Sequence, residues 1–286
     1  MITIPLQIRP SDQDSLGHVN NAAYVAYVQH AVAEFLAEHG FADDWRHNHS
    51  PHYWVMRELA IEYRLASSFG EHLAADVWLA EADERQALFG CQFCHPDHGQ
   101  EEVAIRVQSR WQRQASSSGQ AVKLPEALLE AAGPESGDLP RPFKSPREAE
   151  EVRRYQWRHS VQRSEVGPGG RAHPHVLFEW IEESILCASE EAGWPIERCL
   201  AADFIVLQMR HDARFHSSPL LGEALEITSR LVNVRRLRGS WHNEIRSLAD
   251  GRLLASNYST GVFLNLDGRP TAPPPGMMEA LQQPGD

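Results

Sequence analysis

The feature that most restricts this chain is that its second half repeats its first. A strand from Ile4 to Ile8 leads into the polar run Ser11 to Asn21, then an apolar-periodic segment from Ala22 to a stop at Gly40. The same order returns at Trp157 to Val161, Ser164 to Gly170 and about Val176 to Gly193. At an offset of 153, Ser11 meets Ser164, Gly17 meets Gly170 and Gly40 meets Gly193. Further on the offset is 152: Gly70-Glu71-x-Leu73 meets Gly222-Glu223-x-Leu225, and the Asp97-His98-Gly99 turn meets Ala249-Asp250-Gly251. One slipped residue across so many matches makes coincidence a poor explanation. At 286 residues the chain has room for two domains of ordinary size.

Each copy reads as a strand, a polar loop, one long helix and several strands. The first helix is expected to start near Asn21, with asparagine before it and glycine past its end as cap residues. Tyr24, Tyr27, Val28, Ala31 and Phe35 recur at spacings of three and four, and Ala22, Ala23, Ala26 and Ala33 widen the apolar surface. Such a helix is expected to be wrapped rather than laid on a surface. Strands are predicted over 55–63, 73–81, 86–93 and 103–111, the last two joined as a hairpin at Gly99. One buried helix followed by antiparallel strands, twice over, predicts an α+β fold with a sheet around each helix. Residues 1–128 form the first domain in this reading and 155–272 the second. The breakers Gly133, Pro134, Gly137, Pro140, Pro142 and Pro146 make 129–154 a linker. Residues 273–286, with Pro273-Pro-Pro-Gly276, read as a loose tail.

Charge excludes several classes of partner. Against 39 Asp and Glu stand 27 Lys and Arg, a net charge of −12, so no basic surplus exists for nucleic acid or an anionic membrane. No apolar run approaches the ~20 residues that span a bilayer. The N-terminus alternates Ile2, Ile4, Leu6 and Ile8 as a strand does, not as a signal peptide. Four cysteines without an export signal point to the cytoplasm.

The chemistry-bearing motif is Asp14-Ser-Leu-Gly-His18-Val-Asn-Asn21-Ala-Ala-Tyr24, placed immediately before the first helix. On these residues, with Asp12 and Gly17, the chain resembles the hot dog-fold thioesterases of the 4-hydroxybenzoyl-CoA thioesterase type. Acyl-acyl-carrier-protein thioesterases share the Asp-x-x-x-His-Val-Asn-Asn pattern. With the repeat, the resemblance covers nearly the whole chain and implies a tandem, or double, hot dog fold. It implies that Asp14 works on the thioester and that amides around Asn20, Asn21 and Ala22 polarise its carbonyl. A helix start suits that role, offering unpaired N–H donors and partial positive charge to a developing oxyanion. A carboxylate one loop away can act as general base on water or attack the carbonyl itself. His18 is expected to hold the loop, or to orient Asp14 or water. Leu16 stands where plant acyl-carrier-protein thioesterases have asparagine, which favours a single-aspartate scheme over an Asp-Asn-His one. Tyr24, Trp54 and Arg57 are the candidate substrate-binding residues, Arg57 for a phosphate or carboxylate. Read alone, the motif could be no more than a turn and a helix cap.

The second copy lacks the aspartate: position 14 maps to Gly167, Asp12 to Glu165, His18 to Arg171 and Asn20 to His173. A degenerate site is the expectation, with a site rebuilt from Glu165, His173, His175 and Glu179 as the alternative. Cys91-Gln-Phe-Cys94-His95 has the spacing of a haem attachment site, and His98 suggests zinc. The repeat has no cysteine there, and strand alternation would aim Cys91 and Cys94 at opposite faces. Neither these nor His47, His49 and His52 are read as metal ligands. Arg235-Arg-Leu-Arg238 reads as a charged turn, with a coenzyme A phosphate as the alternative.

The reading is therefore an acyl-CoA thioesterase, with acyl-carrier-protein thioesterase, hot dog hydratase or dehydratase, and non-catalytic acyl-binding module as alternatives. It expects no metal and no cofactor beyond coenzyme A as part of the substrate. It expects no nucleic-acid or membrane partner, and either a monomeric pseudo-dimer or a homodimer.

Overall fold

The computed structural model describes residues 1–46, 50–96, 102–133, 137–140 and 152–283. In chain order the strands are β1 (Ile2–Gln7), β2 (His52–Tyr63), β3 (His72–Ala82), β4 (Gln86–His95), β5 (Glu102–Ala115), β6 (Tyr155–Ser160), β7 (Ile205–Phe215), β8 (Ala224–Arg235), β9 (Arg238–Ser247) and β10 (Leu253–Leu264). The helices are α1 (Asn21–Leu36), α2 (Asp43–Arg46), α3 (Glu126–Glu130), α4 (Pro174–Glu191), α5 (Ile196–Ala201) and α6 (Met277–Gln282). Two compact units result: Met1–Arg141 with Val166–His175, and Pro142–Glu165 with Val176–Asp286. The second copy's turn before α4 is thus counted with the first unit.

In the first unit the antiparallel order is β1-β3-β4-β5-β2, and in the second β6-β8-β9-β10-β7, the same sequence of equivalent strands. The core of the first unit lies where α1 meets its sheet. Tyr24, Val25, Tyr27, Val28, Ala31, Val32, Phe35 and Leu36 are all buried, and Phe35 packs edge-on to Phe89 of β4 at 5.4 Å. Burial of so many large apolar side chains, each contributing about 1.5–3 kcal/mol, holds the helix down. The two turns close alike. Gly17 (φ 82°) and Gly170 (φ 68°) take the left-handed conformation that glycine adopts without a Cβ clash.

Two differences from sequence reasoning have clear physical causes. Part of the proline- and glycine-rich linker is packed against the sheet. Gly133 N–H donates to the Leu79 carbonyl at 3.3 Å, the Gln92 amide to the Asp138 carbonyl at 3.3 Å, and Arg106 pairs with Asp138 at 3.0 Å. The buried Trp78 ring lies against both Gly90 and Gly137, in the space that a Cβ on either would need. Those glycines make room for an indole. The segment after Thr271, expected to be loose, forms α6, with Met277 and Leu281 in the second unit's core and the Tyr155 hydroxyl donating to the Leu281 carbonyl at 3.1 Å.

The cores differ in one layer. Across the first sheet Val77, Cys91, Val107 and Ile61 lie side by side. The equivalent row in the second is Ser229, Asn243, Asn257 and Ala213. Ser184 of α4 bonds Ser229 at 2.7 Å, Asn243 donates to Ser229 at 2.8 Å, Asn257 donates to Asn243 at 3.2 Å, and His211 meets Asn257 at 3.3 Å. All are buried.

Candidate active site at the start of the first helix

The turn that carries Asp14 is closed by its own backbone. Asp14 N–H donates to the His18 carbonyl at 2.7 Å and Gly17 N–H to the Asp14 carbonyl at 3.1 Å. One carboxylate oxygen, Oδ1, accepts from Leu16 N–H at 2.8 Å and His18 N–H at 3.1 Å. The other, Oδ2, meets no donor among the described residues, so the carboxylate is anchored by one oxygen with the second open. His18 serves the turn through both its backbone groups. Beyond it, Val19 N–H donates to the Ser67 carbonyl at 2.7 Å and Asn20 N–H to the Asp12 carbonyl at 2.8 Å.

Asn20 is the N-cap of α1, its side-chain oxygen accepting from Ala22 N–H at 2.7 Å. The Ala22 and Asn20 amides thus both have partners within the turn and cap. The Asn21 N–H is the amide at this helix start that no described group occupies.

Asp12, two residues before Asp14, has a different job. Its Oδ2 accepts from Arg9 N–H at 2.8 Å and from the Tyr27 hydroxyl at 2.7 Å. Burial first, and then the Asp12 carboxylate, raise the Tyr27 hydroxyl well above the usual phenol range and keep it a donor. The second copy rebuilds this brace with other residues at the same positions. Glu165 accepts from Gln162 N–H at 2.6 Å, from the Trp180 indole at 3.0 Å and pairs with His159 at 2.9 Å. Burial works to raise the Glu165 carboxyl, but these hydrogen bonds outweigh it and hold it below the ordinary value.

The turn of the second copy also closes without a carboxylate at position 167. Gly167 N–H donates to the Arg171 carbonyl at 2.9 Å and Gly170 N–H to the Gly167 carbonyl at 3.1 Å, and Val166 bridges Ala172 as Gln13 bridges Val19. The Asp12 or Glu165 brace is present in both copies, whereas the same turn forms with or without Asp14.

The other candidates lie as follows. Tyr24 is buried on α1 among Tyr27, Tyr63 and Phe93; its hydroxyl sits beside Ser67, and burial pushes it up to about 12. Trp54 is buried and gives its indole N–H to Asp44 at 3.1 Å, the carboxylate that Arg113 also holds at 2.7 Å. Arg57 is half-buried, with Nη2 on the Gln112 side-chain oxygen at 2.8 Å, and burial lowers its guanidinium from the usual value. His52 meets Arg113 at 3.1 Å. His47, His49 and His98 lie outside the described residues. Arg171 stacks over the Tyr53 ring at 4.2 Å within the first unit. His173 and His175 stack at 5.4 Å, and burial lowers both rings, His175 to about 4.

Sequence reasoning missed the Asp12–Tyr27 brace, although the offset of 153 from Asp12 to Glu165 and from Tyr27 to Trp180 signals it. It also missed Ser67, which nothing near it in sequence points to.

Comparison with known structures agrees with this architecture. An acyl-ACP thioesterase from Bacteroides thetaiotaomicron superposes with a TM-score of 0.69 at 14% identity, over 91% of this chain and 96% of that one. A 12:0-ACP thioesterase from Umbellularia californica gives 0.65 at 10% identity, over 90% and 95%. The fold is thus a double hot dog, two helix-and-sheet units in one chain. A model of the thioesterase-like superfamily matches residues 8–132 and 171–281. The chain belongs to that superfamily. No curated protein sequence matches this chain significantly.

Proposed function

We propose that this enzyme hydrolyses an acyl-CoA at one site, built on the first unit around Asp14. The observation that carries the assignment is the contrast between copies, in which the turn keeps its backbone bonds while only the first holds a carboxylate with an open oxygen beside a helix start. In the base route, Asp14 Oδ2 takes a proton from water as the oxygen attacks the thioester carbonyl. The Asn21 N–H and the positive end of α1 receive the developing oxyanion. Collapse expels the thiolate, which recovers the proton from Asp14. In the nucleophilic route Asp14 Oδ2 displaces the thiolate to give an anhydride, which water then opens. Label from 18O-water appearing in the Asp14 carboxylate would identify the nucleophilic route, because it enters there only when water opens an anhydride at the Asp14 carbonyl. Neither route calls on a metal or a cofactor, and coenzyme A enters as the leaving group. Tyr24 forms the floor under the helix start, and Arg57 is the cation offered to the donor's phosphate or carboxylate.

The similarity to acyl-ACP thioesterases supports a second donor, an acyl-carrier protein. Thiol release from short, long and aromatic acyl-CoAs, beside the matched acyl-carrier-protein thioesters, tests the choice. Faster release from the CoA series is expected, and release from carrier protein alone would reverse the assignment.

A further inference from the structure

The first copy contains a buried polar pair that the second does without. Ser67, in the loop between β2 and β3, and His95, the last residue of β4, are both buried, and Ser67 Oγ lies 3.1 Å from His95 Nε2. The Ser67 carbonyl accepts the Val19 N–H at 2.7 Å. Val19 joins the Asp14 turn to the capping Asn20, so this bond fixes the peptide between the open carboxylate oxygen and the Asn21 amide. At the offset of 152 the partners become Pro219 and Ser247, and Ser247 pairs with Leu225 at the end of the β8–β9 ladder. A hot dog sheet therefore closes at this corner without a serine–histidine pair. Burying one costs desolvation that only hydrogen bonding offsets. The pair stands beside the Asp14 turn and has no equivalent beside the turn without a carboxylate.

We infer that Ser67 and His95 are positioning residues, which hold the Val19 peptide so that Asp14 Oδ2 and the Asn21 N–H face the same thioester carbonyl. This rests on the reading of Asp14 as the reactive carboxylate. It also gives a role to the histidine of the Cys91-x-x-Cys94-His95 run. Misplacement of reacting groups by about 1 Å costs up to about a hundredfold in rate while leaving binding of the remote parts of a substrate intact.

The test uses the full chain and an acyl-CoA that wild type turns over. Ser67→Ala and His95→Leu are expected to lower kcat per folded molecule by about tenfold or more, with KM within about twofold. His95→Gln, which keeps a hydrogen-bonding group toward Ser67, is expected to recover most of the loss, and Ser247→Ala to change nothing. A purely structural pair would lower the melting temperature and the folded fraction while kcat per folded molecule stayed at the wild-type value, and that result overturns the inference. If His95→Leu does not fold, Ser67→Ala with His95→Gln decides. Asp14→Asn, measured alongside, keeps the two claims apart. Its full activity would remove the Asp14 reading, whereas an inactive Asp14→Asn with unimpaired Ser67 and His95 variants removes only this one.

Discussion

Two carboxylates two residues apart are held differently, and the repeat carries an equivalent of only one of them. Asp12 is tied by the Arg9 amide and the Tyr27 hydroxyl, and its counterpart Glu165 keeps the equivalent ties with a longer acid and an indole in place of a phenol. Asp14 has a turn-bound Oδ1 and an open Oδ2, and its counterpart is glycine. Tyr27→Phe should therefore leave kcat per folded molecule near wild type while lowering stability by about 1–3 kcal/mol, the cost of leaving a half-buried acceptor short of a donor. Urea unfolding beside steady-state kinetics checks it, and a loss of kcat without a loss of stability would assign Asp12 to the chemistry instead. At this scale the motif from Asp14 to Asn21 was legible because it is contiguous. The Asn20 cap on the Ala22 amide was not legible because it depends on which way the Asn20 side chain turns, and the Ser67–His95 pair joins residues that only the folded sheet brings together.

Elements were legible where hydrophobic period dominates. The expected strand 86–93 runs to His95 and that at 103–111 to Ala115, so errors fall at the ends, where ladder pairing rather than pattern decides. Elements rich in proline and glycine were read as unstructured, yet α6 and the chain around Gly137 pack. Single apolar residues such as Met277 and Leu281, and a missing Cβ at Gly137, do that work, and neither produces a periodic signal. Gly137→Ala and Gly90→Ala should each destabilise by about 1–3 kcal/mol through overpacking against Trp78, seen as a lower urea midpoint; unchanged midpoints would mean that the indole yields. The polar row of the second core makes a paired prediction. Asn243→Val alone leaves Ser229 and Asn257 short of a partner and should cost about 1–3 kcal/mol. Changing Ser184, Ser229, Asn243 and Asn257 together to their first-copy counterparts Ala, Val, Cys and Val should be neutral or stabilising.

Across the whole molecule, three buried or half-buried histidines set an acid limit. Burial lowers His175, His211 and His242 each to about 4, against about 6.5 when exposed. The unfolded chain therefore binds more protons between those values, so stability is complete above about pH 6.5 and falls as pH drops toward 4. Urea midpoints across that range should show the fall, and His211→Leu, the first copy's residue at that position, should flatten part of it; a midpoint independent of pH would contradict the burial of these rings. No helix among the described residues is long and apolar enough to cross a membrane. The two units share one fold but have different interiors and different turns, and the proposed chemistry is assigned to the turn that carries a carboxylate. Thiol release by wild type beside Asp14→Asn, over a panel of acyl-CoAs and with folding verified by circular dichroism, examines that directly. The account predicts that wild type turns over at least one donor and that Asp14→Asn loses about 10²- to 10⁴-fold in kcat with its fold intact. A folded Asp14→Asn enzyme that releases thiol at the wild-type rate would contradict it and move the chemistry away from the first helix.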